Sequence, residues 1–157
     1  MDKIKSILLV CTGNSCRSVM AEGLFKKYLK EAGKADIKVT SAGIMALDGF
    51  APTDETVKVM KDQGVDVSGI RSKRLTEEIV KASDLILVME DMHKDFILRL
   101  VPEAASKTYL LKKFRSHDTR KYPEDSDVPD PIGKPIDFYK LSLEIINEEA
   151  KRITGLL

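Results

Sequence analysis

The sequence predicts an α/β protein with three layers, in which a doubly wound, four-stranded parallel sheet in the order 2-1-3-4 carries helices on both faces. Two observations lead to this prediction. Short apolar segments alternate with helical patterns along the chain, and the apolar segments are continuous, as expected for strands buried on both faces. No internal repeat or linker interrupts the pattern, so we predict a single domain over residues 1–157.

Each element follows from local signals. Thr53 is suited to cap the helix that follows it, and Gly64 is suited to end that helix. The last helix is amphipathic and follows a polar loop, Ser116–Pro135, that contains four prolines. The predicted strands are Ile4–Val10, Ile37–Ser41, Asp84–Met89 and Thr108–Leu111. The predicted helices are 18–32, Thr53–Gln63, a segment that begins at Thr76, 91–100 and Ile136–Gly155.

Composition excludes several classes of protein. The chain is 43% apolar and 32% charged, as in an ordinary globular protein, and its net charge of +1 predicts no nucleic acid partner. No stretch reaches the ~20 apolar residues that cross a membrane. The first strand begins almost at the N-terminus and leaves no room for a signal peptide, so we expect a cytoplasmic protein. Charged runs such as Lys112–Lys113 and Arg71–Arg74 are interpreted as solvated faces.

The eight residues CTGNSCRS, from Cys11 to Ser18, lie between the first strand and the first helix. A turn that enters a helix leaves backbone N–H groups unpaired, and the helix dipole adds about half a positive charge there. We expect Gly13 and Asn14 to permit a tight backbone, because glycine lacks a Cβ and asparagine tolerates a left-handed conformation. Arg17 adds a planar fork for two phosphate oxygens. The octet therefore predicts an anion-binding loop.

Cys11 lies at the base of this predicted loop. A thiol beside a helix N-terminus and a cation loses its proton more readily than a free cysteine, so we expect a thiolate nucleophile at neutral pH. The other interpretation is a small apolar core residue at the end of a strand. The glycine, asparagine, arginine and serine that surround Cys11 favour the nucleophile.

CTGNSCRS at 11–18, together with MAEG at 20–23, SAGI at 41–44 and VPDPIG at 128–133, resembles the low-molecular-weight protein tyrosine phosphatases. The matches occur in the family's order and extend over nearly the whole chain. The family includes bacterial protein arginine phosphatases, to whose branch this chain is similar, and arsenate reductases are close relatives. The resemblance implies an enzyme that hydrolyses a phosphorylated side chain through a phosphocysteine.

The resemblance also implies roles for the octet, with Cys11 as nucleophile and Arg17 as phosphate clamp. Ser18 can donate a hydrogen bond to the Cys11 sulfur, or it can cap the helix. Ser41 is expected to join Asn14 and Ser18 in a network that holds the loop, the alternative being an ordinary strand-end residue. The predicted phosphate-binding residues are Thr12, Gly13, Asn14, Ser15, Cys16 and Ser18.

Asp130 lies between two prolines, which stiffen the backbone and hold the carboxylate in a fixed direction. Transfer of a phosphoryl group from an alcohol or phenol needs a proton for the leaving group, which a carboxylic acid on a rigid loop can supply. On the residues alone, Asp127, Asp125 and Asp118 are rivals for this role. The resemblance implies that Asp130 is the general acid and base.

Cys11 and Cys16 are the only cysteines, which predicts a reducing compartment and no structural disulfide framework. The resemblance implies a reversible Cys11–Cys16 disulfide as protection against over-oxidation, while the alternative is that Cys16 is a small buried residue. The chain departs from the family at Val19, where proline is frequent, and at Ile70, where bacterial relatives commonly have histidine. Neither change removes a catalytic group.

The substrate stays open between phosphotyrosine and phosphoarginine. Ser15 lies where tyrosine-specific members commonly have isoleucine and arginine phosphatases have threonine, and Ile132 and Gly133 lie where tyrosine-specific members tend to have aromatic residues. Arsenate reductases often have this serine but use further cysteines near 80–90, where this chain has Ala82 and Met89, so a reductase would need an external thiol. A non-catalytic phosphate-binding module is the remaining alternative.

Neither histidine is predicted to be catalytic. His93, on a helix among charges, and His117, in the polar loop, are both expected at the surface. No cluster of residues has metal-ligand spacing and no dinucleotide-binding GxGxxG is present, so we predict no metal and no cofactor. The expected partners are phosphorylated protein substrates, with inorganic phosphate as the product.

Overall fold

The computed structural model of the protein describes residues 3–116 and 126–157. In this part of the chain, four strands form one parallel sheet in the order β2-β1-β3-β4, which confirms the predicted topology. The strands are β1 (Ser6–Cys11), β2 (Lys38–Gly43), β3 (Leu85–Val88) and β4 (Thr108–Leu110). The helices are α1 (Arg17–Glu31), α2 (Asp54–Asp62), α3 (Glu77–Ala82), α4 (Asp91–Leu100) and α5 (Ile136–Thr154), and a 3₁₀ helix, Pro102–Lys107, precedes β4.

Alternate side chains of β1 enter two separate cores. Ile7 and Leu9 pack with residues of α1, α2 and α5 on one face of the sheet. Leu8 and Val10 pack with residues of α3, α4 and the 3₁₀ helix on the other face. Because both faces of the strand are covered, its sequence is continuously apolar instead of alternating. The prediction of three layers with helices on both faces is therefore confirmed.

The predicted elements are all present, and most of their ends move by one or two residues. β1 extends to Cys11, which pairs with Gly43 at the end of β2. Thr53 caps α2, since its side chain accepts a hydrogen bond from the backbone three residues later, and Gly64 follows the helix with φ 76°. The 3₁₀ helix that begins at Pro102 was not predicted, because six residues are too few to show a helical periodicity in the sequence.

One of the charged runs was misinterpreted. Lys113 and Arg71 are exposed, as predicted, but Lys112 is buried. It lies in the turn after β4, between Leu111 and Phe114, and both of those side chains enter the main core. The turn therefore holds the lysine against the protein, which a run of two charges does not reveal. Among the described residues, no helix has the length and apolarity that a membrane crossing requires.

The sheet positions the candidate site at one edge. β1 and β3 are parallel neighbours, so their carboxyl ends meet. The octet leaves β1 there, and α4 begins after the two residues that follow β3. Ligands bind parallel sheets at this edge, where successive connections leave on opposite faces. The loop that carries Asp130 is joined to the same edge, because the Val128 N–H donates to the Met89 carbonyl over 2.8 Å.

Candidate active site

The octet forms a loop between β1 and α1. Cys11 ends β1, and α1 begins at Arg17, with Cys16 as its N-cap residue. In the described part of the chain, no protein acceptor takes a hydrogen bond from the backbone N–H groups of residues 13–16. Free amides at a helix N-terminus attract an anion, because the helix dipole and the unpaired donors act together. The loop can therefore accept a tetrahedral oxyanion without breaking a protein hydrogen bond.

The tight backbone of this loop rests on Asn14 and not on Gly13. Asn14 has φ 52°, in the left-handed region that asparagine tolerates better than most residues. Gly13 does not adopt a positive φ, and a Cβ added to it would make ordinary contact with the Ser15 Oγ at 3.5 Å. The expected conformational reason for glycine at 13 is therefore wrong, whereas the expectation for Asn14 is met.

A buried hydrogen-bond network orients a proton toward the Cys11 sulfur. The Lys73 N–H donates to Asn14 Oδ1 over 3.0 Å, so the Asn14 amide nitrogen faces the other way. That nitrogen donates to Ser18 Oγ at 2.7 Å and to Ser41 Oγ at 2.9 Å. Because Ser18 Oγ accepts from Asn14, its own proton can donate to Cys11 Sγ, which lies 3.0 Å away. Ser18 lies within α1, so it is not the helix cap.

Glu22 terminates this network on the far side. The Ser41 hydroxyl donates to Glu22 Oε1 over 2.7 Å, and Lys26 Nζ lies 2.7 Å from Glu22 Oε2. A carboxylate can only accept hydrogen bonds, so Ser41 must donate to it and must accept from Asn14. The donor and the acceptor of each hydrogen bond between Glu22 and the sulfur are thereby determined.

Arg17 is fully buried at the start of α1, with 1% of its side chain exposed, and its guanidinium is held on two sides. Nη1 lies 2.6 Å from Glu90 Oε2 and donates to the Val128 carbonyl over 2.8 Å. Nη2 lies 3.5 Å from both Thr12 Oγ1 and Asp130 Oδ2. The loop therefore has a guanidinium, with five N–H donors in a planar fork, beside its free amides.

Asp130 is half-exposed on the loop that faces Arg17. One carboxylate oxygen accepts from the Ile132 N–H over 3.1 Å, and the Ser142 hydroxyl donates to the Pro129 carbonyl over 2.8 Å. The rival Asp127 accepts instead from the N–H of Asp91, the first residue of α4, over 3.0 Å. The other rivals, Asp118 and Asp125, lie outside the described residues, as does His117.

His93 is not at the surface, which corrects the prediction. Its side chain is fully buried under the loop, where Nε2 lies 2.9 Å from Thr12 Oγ1 and Nδ1 accepts from the Glu90 N–H over 3.0 Å. Burial and the nearby Arg17 charge, opposed by Asp130, together lower the pKa of His93 from 6.5 to about 4. His93 is therefore neutral at neutral pH.

Cys16 and Ser15 lie on the side of the loop that faces α2 and α5. Cys16 is a free, buried thiol whose sulfur lies 3.6 Å from Thr53 Oγ1 and 3.9 Å from the Tyr139 hydroxyl. The Ser15 carbonyl accepts a hydrogen bond from the Thr53 N–H over 3.2 Å, and the Ser15 hydroxyl lies 3.7 Å from Cys16 Sγ. Burial raises the pKa of Tyr139 to about 12, so the phenol stays protonated.

Sequence reasoning missed four residues that hold the loop: Glu22, Gly43, Glu90 and His93. A Cβ on Gly43 would lie 2.6 Å from the Thr12 carbonyl and 2.8 Å from the Asn14 nitrogen, so only glycine fits. The blocks MAEG and SAGI contain Glu22 and Gly43, which was a usable signal. Nothing comparable marks Glu90 or His93. The described residues contain no group of three metal-ligating side chains.

The fold and the site together define a class. A doubly wound parallel sheet with a cysteine and an arginine in an anion-binding loop after the first strand is the arrangement of a cysteine-dependent phosphatase. The family model for low molecular weight phosphotyrosine protein phosphatases matches residues 6–156. The chain belongs to this family, which confirms the resemblance in the sequence, and it is a hydrolase of the protein phosphatase class.

Individual relatives cover nearly the whole chain. A protein-arginine-phosphatase of Geobacillus stearothermophilus is 37% identical over 151 residues, which is 96% of this chain and 95% of that protein. The crystal structure of a low molecular weight protein tyrosine phosphatase from T. tengcongensis has a TM-score of 0.86 at 38% identity, and the match covers 97% of this chain and 99% of that one. The arginine phosphatase YwlE, in a mutant with a phosphorylated active-site serine, has a TM-score of 0.85 at 32% identity and covers 97% and 95%.

Proposed function

We propose that this protein removes phosphate from tyrosine or arginine side chains of proteins through a phosphocysteine at Cys11. The observation that carries the proposal is the position of Cys11 at the end of β1, directly before the free amides and the buried Arg17, with its sulfur 3.0 Å from the Ser18 hydroxyl. A phosphoryl group bound by these amides and by the guanidinium would lie above this sulfur, within reach of nucleophilic attack.

In the first step the Cys11 thiolate attacks phosphorus, and a P–S bond forms as the bond between phosphorus and the leaving group breaks. Charge on the phosphoryl oxygens is stabilised by the amides of residues 13–16 and by Arg17. Asp130 gives its proton to the departing oxygen of tyrosine or to the departing nitrogen of arginine. Its half-exposed carboxyl group, 3.5 Å from Arg17 Nη2, supports this role because it lies at the open side of the loop.

In the second step the deprotonated Asp130 takes a proton from water, and the water oxygen attacks phosphorus. The P–S bond breaks, inorganic phosphate leaves, and Cys11 returns as a thiolate. Ser18 stabilises that leaving thiolate, because the Asn14 amide holds its hydroxyl as a donor to sulfur. Electrons and protons balance without a cofactor, since hydrolysis is not a redox reaction.

The two substrates are supported about equally by the loop. Ser15 offers a short polar wall, which does not crowd a phenyl ring and does not repel a guanidinium. Ile132 is 53% exposed beside Asp130 and offers an apolar contact in place of an aromatic one. The relatives divide in the same way, since one is named an arginine phosphatase and another a tyrosine phosphatase.

The test of this function is steady-state kinetics on phosphotyrosine and phosphoarginine peptides of the same sequence. We expect turnover of at least one, and Cys11→Ser should lower kcat by about 10⁴-fold or more, because oxygen is a far weaker nucleophile than a thiolate here. Binding of inorganic phosphate should survive, because the amides and Arg17 are intact. Full activity of the folded Cys11→Ser protein, or phosphate binding without turnover of either peptide by the wild type, would contradict the proposal.

Ser15→Ile separates the two substrates. The larger apolar side chain should favour the phenyl ring and disfavour the guanidinium, so the ratio of kcat/KM for phosphotyrosine over phosphoarginine should rise about tenfold. Ser15→Thr is the matched comparison, because it adds a methyl group, keeps the hydroxyl and introduces the residue typical of arginine phosphatases, so the ratio should not rise. An unchanged ratio in Ser15→Ile would show that Ser15 does not select the substrate.

A further inference from the structure

His93, Thr12, Arg17 and Glu90 form a closed circuit of polar contacts beside the anion-binding loop. Arg17 Nη1 meets Glu90 Oε2 at 2.6 Å, and the Glu90 N–H donates to His93 Nδ1 over 3.0 Å. His93 Nε2 lies 2.9 Å from Thr12 Oγ1, which lies 3.5 Å from Arg17 Nη2. The imidazole thus joins the two residues that contact the two terminal nitrogens of the guanidinium.

The circuit determines the tautomer of His93. Because Nδ1 accepts from a backbone N–H, it carries no proton, so the proton of the neutral ring is on Nε2. Nε2 therefore donates to Thr12 Oγ1, and the Thr12 hydroxyl keeps its own proton for another acceptor. A ring protonated on both nitrogens would have to give up the hydrogen bond from Glu90, so only the neutral ring closes the circuit.

We propose that His93 is a positioning residue for the phosphate clamp: its neutral ring ties Thr12 to Glu90 and so holds the Arg17 guanidinium in the orientation that binds a phosphoryl group. This inference rests on the proposed function, since it assigns Arg17 the phosphate. Arg17 is the first residue of α1, a position that by itself allows its side chain several rotamers. The contacts on both Nη atoms restrict the side chain to one of them. The competing interpretation is that His93 only fills space beneath the loop.

Three substitutions of His93 test its two hydrogen bonds together and separately. His93→Phe keeps the ring volume and removes both hydrogen bonds. His93→Gln can present a donor near the position of Nε2, toward Thr12, and His93→Asn can present an acceptor near the position of Nδ1, toward Glu90. The readouts are the Kd of inorganic phosphate by calorimetry, the KM and kcat for p-nitrophenyl phosphate, and the thermal unfolding temperature.

We expect His93→Phe to raise the phosphate Kd and the KM by about tenfold, as for the loss of a hydrogen bond that orients a charged group. His93→Gln and His93→Asn should each recover part of that loss. Thr12→Val should raise the Kd as well, and combining it with His93→Phe should cost less than the product of the two effects, because both open the same circuit. Met92→Ala, an exposed change on the same helix, is the control that should leave the Kd unchanged.

A folded His93→Phe protein with wild-type phosphate Kd and KM, and only a lower unfolding temperature, would overturn the inference, because a space-filling role predicts that result. If His93→Phe does not fold, wild-type values in both His93→Gln and His93→Asn overturn it equally. Failure of the proposed function looks different, since the wild-type protein itself would then neither bind phosphate nor hydrolyse the ester.

Discussion

The octet and the loop that carries Asp130 lie at the same edge of the sheet but are built in opposite ways. In the octet, Arg17 is 1% exposed, and Ser18 and Asn14 each have buried hydrogen-bond partners. In the loop of residues 128–133, the Asp130 side chain is 38% exposed and Ile132 is 53% exposed. This loop is held at its start, where the Val128 side chain lies in the core and the backbone of Val128 and Pro129 makes hydrogen bonds to other segments.

This difference separates two tasks. Every substrate presents the same phosphoryl group, so the octet can be rigid and can be preorganised by the core of the protein. The leaving group varies between substrates and must enter and leave, so the side that meets it is open. Binding of phosphate should therefore depend on buried residues far from the leaving group, and the choice of leaving group should depend on the exposed rim.

Asp130→Asn gives the largest effect on the open side. Loss of the proton donor should lower kcat by about 10²–10⁴-fold for a phosphotyrosine peptide. The loss should be smaller for p-nitrophenyl phosphate, because nitrophenolate leaves without a proton. The Kd of inorganic phosphate should not rise, since the substitution removes a negative charge 3.5 Å from Arg17. Equal losses for both esters would show that Asp130 is not the acid.

The buried side should show a dependence of stability on pH that originates at His93. The pKa of this histidine is about 4 in the folded protein and 6.5 as its ordinary value, so the unfolded chain binds the extra proton between these pH values. The stability contributed by the neutral ring is complete above pH 6.5 and is lost as the pH falls toward 4, by about 3 kcal/mol. Arg17 and Asp130 act on the ring from α1 and from the 128–133 loop.

Denaturant unfolding of the wild type and of His93→Phe at several pH values measures this contribution. The free energy of unfolding of the wild type minus that of His93→Phe should fall steadily from pH 6.5 to pH 4, because the histidine contribution is lost in the wild type and phenylalanine does not titrate. Other groups titrate in both proteins and cancel in the difference. Two curves that stay parallel over this range would show that His93 is not held neutral by the fold.

Gly43→Ala should give a smaller effect, confined to the support of the octet. The new Cβ would meet the Thr12 carbonyl at 2.6 Å, so the loop must move, at a cost of about 1–3 kcal/mol in stability with a weaker phosphate Kd. Gly69→Ala is the matched control, because nothing lies within 4 Å of its added Cβ. Calorimetry and thermal unfolding of the two variants give the comparison, and equal behaviour would mean that Gly43 does not support the loop.

The fold and the octet could be predicted because their signals are local. Continuous apolar strands, the cap at Thr53 and the turn at Gly64 each depend on a few adjacent residues, and the octet is a contiguous motif. The supports of the octet could not be predicted in the same way, because His93 is 81 residues from Thr12 and Glu90 is 73 residues from Arg17.

A histidine among charges is usually exposed, and three of the four residues within two positions of His93 carry charge. They are Asp91, Lys94 and Asp95, with Met92 the apolar exception. Three-dimensional proximity reverses that expectation for His93, because α4 begins directly after β3 and turns one side of its first turn under the octet. The assignment of Gly13 failed for a related reason. Which residue of a tight loop takes the positive φ depends on the hydrogen bonds that surround it, and those bonds place Asn14, not Gly13, in that conformation.

The central claim is that the phosphoryl group passes through the sulfur of Cys11. Rapid mixing of the wild-type protein with a phosphopeptide substrate, followed by quenching within one turnover, proteolysis and mass spectrometry, locates the transferred group. We predict phosphoryl on the peptide that contains Cys11. The yield should be higher when Asp130→Asn is mixed with p-nitrophenyl phosphate, because its leaving group needs no proton while the attack of water on the phosphocysteine is slowed. Turnover with no phosphorylated Cys11 in either protein, or with phosphoryl on another residue, would contradict the account.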